Sequence, residues 1–422
     1  MKRVVLLCPN SWDEVQLAAC RPRWEGKYTI LPHGRDVEDN PGAFEALGFV
    51  EDALREYSRQ PIDGVTSSSD YPGCLVAAAI ASELGLPGPR PEQVLRCSHK
   101  YYARLAQQEA APEATPRFSL IDPQRLRPDA LELEFPLFVK PVKSWFSVFA
   151  RQVESFDALQ RFLAQPDLQA HLSTFVSPFN QFLARYTDFR FDGGYLLAEE
   201  LLSGDQVTVE GFVFQGEVTI IGIVDSVMYP GTISFQRFDY PSSLPDDVQA
   251  RMEDVARRVM RHMGFEGGLF NVELFYDRHA DQIHIIEINP RMCGQFADLM
   301  ELVNGTNTYE ILLALAAGER PVVQRGQGPC QVAASFALRA FEDMIVRRVP
   351  DRQQIEALRR EFPLSVVKVY YRQGERLSER DQSDGYSHRY AIVNMGGQDR
   401  PSLLADFAEA ERRLGFALQD VM

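Results

Sequence analysis

Hydrophobic and polar positions along this chain alternate between two periods, and their succession predicts a mixed architecture. Short runs rich in Val, Ile and Leu read as strands, and longer runs with apolar residues three and four apart read as helices. Arg3–Cys8, Tyr28–Leu31 and Gly64–Ser67 are predicted strands, with an amphipathic helix over Phe44–Arg59 between them. SSSDYPG (67–73) ends the third strand and leads into a small-residue helix, CLVAAAIASELG. Such a turn can approach a ligand closely, and a plain βα turn accounts for it equally well. Residues 1–95 therefore read as an open α/β domain that ends in a Gly/Pro-rich connection, GLPGPRPEQ (85–93). No GxGxxG follows the first strand, so dinucleotide binding has no support.

Ser98 is placed to cap the helix HKYYARLAQQEA, on which Lys100 and Arg104 share a face. Residues 96–202 then form a linker helix and a small β-rich lobe. Its strands are ATPRFSLI, EFPLFVKPV and YLLAEELL, and its helix is SFDALQRFLAQ. Residues 203–318 form a larger lobe. EVTIIGIVDSVMY is predicted as a strand pair, ISFQRFDYPSSLP (233–245) as an aromatic loop, and DDVQARMEDVARRVMRHMG as a helix stopped by Gly264. After a polar linker, residues 319–422 mix three strands with two helices as a C-terminal α+β lobe. No internal repeat is visible.

The chemistry concentrates in GLFNVELFYDRHADQIHIIEINPR (268–291), two apolar runs around a polar turn, which predicts a hairpin. Side chains alternate across a strand. Asn271 and Glu273 therefore share one face, and Glu287 and Asn289 share a face of the partner. Facing carboxylates repel, and a buried charge is costly without a partner. A hard cation resolves both problems, and Glu273, Glu287 and Asn289 are oxygen ligands of the kind Mg²⁺ takes. Arg291 adds a positive charge beside them. The bland alternative is a hairpin with one solvated face. Elsewhere, Lys140 ends the buried run FPLFVK and needs an anionic partner or an escape to water.

Composition narrows the function. The 422 residues suffice for two or three domains. A net charge of −15 disfavours a general nucleic-acid or anionic-membrane binder, without excluding a basic pocket for phosphate. The six cysteines show no metal or CxxC spacing and read as reduced thiols of a cytoplasmic protein. Cys293 has no visible base to make it a nucleophile. No apolar run is long enough to span a bilayer, and the start, MKRVVLLCPNSW, fits a first strand better than a signal peptide.

The pair NVEL and EINPR resembles the metal-binding signature of the ATP-grasp superfamily. The resemblance covers about residues 60–320 and implies a fold in the α/β class: an ATP-grasp core preceded by an open α/β domain. It implies that Glu273, Glu287 and Asn289 hold Mg²⁺ against the phosphates of ATP, and that Arg291 stabilises an acyl-phosphate. It places Lys100 and Lys140 on the phosphates. Glu199, Glu200, Leu201 and Leu202 would frame the adenine, with Gln206 at the ribose where many relatives have Glu. For one of the two adjacent acids an exposed strand end is the simpler account. Many relatives have a Gly-rich lid after Lys140. Here Ser144, Trp145, Phe146 and Ser147 stand in its place.

Within the superfamily, GLPGP, YPSSLP and EINPRMCGQ are most similar to L-amino acid ligases that form dipeptides. The implied reaction couples a carboxylate, an amino acid by preference, to an amine, releasing ADP and phosphate. Phe238 and Tyr240, with Arg291, would contact the organic substrate. The partners implied are small molecules, with neither nucleic acid nor membrane, and a homodimer is allowed. The alternatives are another ATP-grasp carboxylase, a purine- or biotin-type ligase, and a nucleotide-binding regulatory protein without turnover.

Overall fold

The computed structural model describes residues 1–37, 41–127, 131–144, 148–380 and 382–421. The chain forms two compact units. One comprises Met1–Ile221, Pro245–Gly294 and Tyr309–Pro321, and the other Gly222–Leu244, Gln295–Thr308 and Val322–Met422.

In the first unit, β1 (Lys2–Leu7) lies between β2 (Tyr28–His33) and β3 (Gly64–Thr66), all parallel. Val4–Leu7 are almost wholly buried, as a central strand of a covered parallel sheet requires. The turn after β3 carries Asp70 into the helix Leu75–Glu83, in which every residue from Leu75 to Ala81 is buried. The next helix, Pro91–Ser98, begins inside the stretch expected to be a connection, because Pro91 suits a first helical position. Ser98 closes that helix rather than capping the following one. Lys100–Ala110 begins after His99, whose extended backbone separates the two helices.

A four-stranded antiparallel sheet follows, built of β4 (Phe118–Ile121), β5 (Leu137–Pro141), β6 (Arg151–Val153) and β7 (Leu196–Glu200) in the order β4-β7-β5-β6. Leu137, Val139, Leu196 and Ala198 pack with Leu159 and Phe162 of the helix Phe156–Leu163. β8 (Asp205–Phe214) turns into β9 (Glu217–Met228) through Gln215 and Gly216, both at positive φ, a two-residue turn that matches strand twist. Residues 217–228 are thus one long strand, not the strand pair expected.

β10 (Phe235–Tyr240) belongs to the second unit. β11 (Gly268–Asp277) and β12 (Gln282–Asn289) return to the first, giving the order β12-β11-β8-β9. The hairpin β11–β12 is not regular. Leu274 pairs with Ile285 but Glu273 pairs with Glu287, so Ile286 is an extra residue on β12. The bulge lets Ile283, Ile285 and Ile288 all turn into the core, each at most 6% exposed, and still sets Glu287 opposite Glu273. Regular pairing from Leu274 onward would have placed Glu287 opposite Val272, on the other face.

In the second unit, β9 from Gly222 onward, β10, β13 (Val332–Ala340), β16 (His388–Gly397) and β15 (Val366–Val369) are ordered β9-β10-β13-β16-β15. β14 (Met344–Arg348) and β17 (Ala417–Asp420) form a separate pair. Phe336 stacks on Phe407 of the helix Arg400–Leu414 at 3.7 Å between ring centroids. The aromatic stretch expected as a loop is in part a strand: β10 pairs with β9 on one edge and β13 on the other.

Candidate functional site

The hairpin face carries the central group. Glu273 and Glu287 are direct cross-strand partners, as are Asn271 and Asn289. Asn289 Nδ2 donates to Asn271 Oδ1 at 2.8 Å and to Glu273 Oε1 at 3.2 Å. Lys100 Nζ lies 3.1 Å from Glu287 Oε2. Burial, and then the Glu287 charge, raise the Glu273 carboxyl to about 7. Burial works in the same direction on Glu287, but Lys100 and Lys140 outweigh it and hold that carboxyl below its ordinary value. The face stays open to water, since 28% of the Glu287 side chain is exposed.

Two facing acids with an amide beside them and a shortage of counter-charge fit a divalent cation that prefers oxygen. Among the described residues no three His, Cys, Asp or Glu side chains gather as a ligand set. Asn289 is the third donor here, and Mg²⁺ keeps several waters in any case.

Beside this open face lies a sealed cluster. Glu199 accepts from Arg104 Nε at 2.5 Å through Oε1 and pairs with Lys140 Nζ at 2.7 Å through Oε2. All three side chains are at most 7% exposed. Arg104 also donates to Gln107 and to the carbonyl of Ile286, the latter at 2.7 Å, and Lys140 Nζ lies 3.3 Å from the same carbonyl. The residue freed from the ladder by the bulge thus presents its oxygen to both cations. The anionic partner that the Lys140 position demands is Glu199. Burial opposes the Lys140 charge more than Glu199 restores it, so its ammonium lies below the usual lysine value.

A third group was not anticipated. Asp70, from the turn after β3, accepts from Arg291 Nε at 2.9 Å and lies 3.7 Å from Lys143 Nζ. Burial alone would raise its carboxyl, but Arg291 and Lys143 draw it down to about 2. Lys143 sits 4.7 Å over the Tyr71 ring. Glu210, on β8 opposite Asn271, is 1% exposed, and its Oε1 has no hydrogen-bond partner. Burial pushes it to about 8, against the opposing field of Arg291. A cavity of about 40 Å³ lies beside Thr66, Cys74, Leu269 and Arg291. It has room for water rather than for an organic side chain.

Of the other residues singled out, Gln206 donates to Glu273 Oε2 at 3.2 Å, so its amide is turned to the carboxylate pair in this state. Glu200 pairs with exposed Arg117 and is the strand-end acid of the two, whereas Glu199 is buried. Leu201 is exposed. Phe238 packs on Phe235 and Phe296. Tyr240 is buried against Gly222, and its hydroxyl accepts from Asn304 at 2.7 Å. Trp145, Phe146 and Ser147 of the expected lid lie outside the described residues. The six cysteines are unbridged, and all but Cys293 are buried. No described helix is long and apolar enough to cross a membrane.

Asp70 lies in the turn SSSDYPG, which the sequence marks as able to approach a ligand, whereas Lys143 and Glu210 carried no local signal. Arg104 did, as the residue sharing a helix face with Lys100.

Comparison with known proteins bears on the domain and the fold. Residues 133–299 match the model of the ATP-grasp domain. An uncharacterized protein of Sinorhizobium fredii, y4rH, is 25% identical over 295 residues, which is 67% of this chain and 55% of that protein. Carnosine synthase 1 of Gallus gallus is 28% identical over 190 residues, 44% of this chain and 20% of that one. The match thus spans about half, or less, of these curated relatives. The structure of an L-amino acid ligase from Bacillus licheniformis superposes with a TM-score of 0.73 at 17% identity, covering 100% of this chain and 99% of that one. Residues 133–299 thus match an ATP-grasp domain, and the fold of the chain is that of the L-amino acid ligase structure.

Proposed function

We propose that this protein is a Mg²⁺- and ATP-dependent ligase that joins a carboxylate, an amino acid by preference, to an amine through an acyl-phosphate. The observation that carries the reading is the facing pair Glu273–Glu287 with Lys100 and Lys140 beside it. Acids for a metal and cations for phosphates meet on one face. The kinship with carnosine synthase 1 and the fold shared with an L-amino acid ligase support an amino acid as substrate. Carboxylases share that fold too, so substrates must be read from the reaction.

Glu273, Glu287 and Asn289 would hold Mg²⁺, whose chemistry is to offset charge on the transferring phosphoryl group. Lys100 exchanges Glu287 for a phosphate oxygen, and Lys140 holds a second. A substrate carboxylate oxygen attacks the γ-phosphorus and the bond to ADP breaks. The amine then attacks the acyl carbon, phosphate departs, and the amine proton is lost. Arg291 faces the negative charge that grows on the acyl oxygen. The backbone of Glu199 and Glu200, with Leu201 and Leu202, is assigned to the adenine side, the Glu199 side chain being held by Arg104 and Lys140 and the Glu200 side chain by Arg117. Phe238, with its aromatic neighbours, is the candidate wall for the organic substrate.

A panel of amino acids screened for phosphate release identifies the acid and the amine. With ¹⁸O-labelled carboxylate, one label must appear in the released phosphate alongside ADP. Amide formed with unlabelled phosphate, or with AMP, overturns the mechanism.

A further inference from the structure

Glu199 is one carboxylate shared by two buried cations, which is more positive charge than it can neutralise. Arg104 and Lys140 contribute two positive charges and Glu199 one negative, leaving the cluster with one net positive charge. The neighbouring pair Lys100–Glu287 is neutral by itself, and the Glu273 that faces it is a ligand of the proposed Mg²⁺. A lysine alone with a buried glutamate would spend its field on that partner. With Arg104 saturating one oxygen, the Lys140 charge remains available to an anion. Arg104 also grips Ile286 O, the backbone oxygen next to Glu287, so the same guanidinium fixes the phosphate lysine against the carboxylate strand. Only a planar fork with several donors reaches Glu199, Gln107 and Ile286 O together.

We infer that Arg104 is a positioning residue for nucleotide binding: by sharing Glu199 with Lys140 and holding the Ile286 carbonyl, it keeps one uncompensated positive charge at the phosphate side of the site. The inference rests on the ATP-binding reading above and extends it to a residue that does not touch the nucleotide.

The test is calorimetric titration of the full chain with a non-hydrolysable ATP analogue and Mg²⁺, paired with a thermal melt of each variant. Arg104→Met should weaken binding about tenfold, the scale of one elementary charge removed near a phosphate in a partly buried site. Glu199→Gln leaves two cations unopposed. It should lower the melting temperature yet tighten binding, and those opposite signs are not produced by damage to the fold. The double variant Arg104→Met/Glu199→Gln restores the net charge and should bind within about threefold of wild type. Arg104→Lys keeps the charge but not the fork, and should bind less tightly than wild type and more tightly than Arg104→Met. Unchanged binding in Arg104→Met overturns the inference, as does a double variant no better than that single one. Should Arg104→Met not fold, weaker binding in Glu199→Gln overturns it alone. Wild-type protein that binds no nucleotide overturns the ATP-binding reading itself, a result distinct from wild-type binding that ignores Arg104.

Discussion

Two acid–lysine groups lie side by side on this fold and differ in solvent. At Glu199 the acid and both its cations are at most 7% exposed, and the two cations share one carboxylate, which leaves one positive charge in excess. At Glu287 the acid is 28% exposed and its lysine 14%, and a second acid stands opposite with too few cations to balance it. The first group is permanent, because opening it would strand a charge away from water. The second can be traded, since solvent compensates each partner, and on the proposed reading a metal and a phosphate would replace them. On that reading identical residue types serve mainly as scaffold in one place, where Lys140 reaches a phosphate without leaving Glu199, and as exchangeable contacts in the other.

The comparison breaks most visibly at Glu287. Glu287→Gln should reduce turnover on the order of a hundredfold or more while leaving the melting temperature close to wild type, because one of two anionic metal ligands is lost from an open face. Normal activity in that variant would remove Glu287 from the metal site. Stability separates the two groups next. Arg104→Met should cost about 3 kcal/mol in urea unfolding, as breaking a buried pair does, and Lys100→Met under about 1 kcal/mol. Equal costs would show that the two pairs are not different in kind.

Glu210 gives a pH test of burial on the same face. Its folded carboxyl is raised to about 8, so the folded state binds its proton more tightly than the unfolded chain does. The folded state therefore pays nothing for Glu210 below about pH 4, the unfolded value. The cost grows as pH rises and levels off above about 8. Glu210→Gln should stabilise the nucleotide-free protein at pH 8 by on the order of a few kcal/mol, and little at pH 5. A constant difference between those two pH values would show that Glu210 is not protonated in the fold. The smallest effect is expected at Tyr240→Phe. Removing the hydroxyl that accepts from Asn304 should cost about 1 kcal/mol and leave the substrate profile as it was. A changed profile would return Tyr240 to the substrate wall.

Much of the open face was legible because alternation along a strand is a short-range property. NVEL and EINPR each place their polar residues on one side within a few residues. Lys140 was legible as a charge at the end of an apolar run. The sealed cluster was not, since Arg104 and Glu199 are 95 residues apart and each has an ordinary local reading, as helix surface and strand end. Asp70 and Arg291, 221 residues apart, are joined only by the fold. The aromatic stretch around Phe238 was misread because Pro241 and the serines after it imitate a loop. Pairing on both edges, which no local pattern announces, makes its first part a strand.

The extra residue at Ile286 has a consequence for how this sequence can change over generations. The two carboxylates meet only because the ladder skips one position between Leu274 and Glu273. Substitutions along the hairpin are tolerated by degree, each costing what its side chain contributes. Loss or gain of a single codon between the turn and Glu287 is different in kind. It would rotate one acid out of the cleft and withdraw the carbonyl that Arg104 and Lys140 share. Lineages descending from this gene should therefore vary at the exposed positions of this segment, and hardly at all in its length.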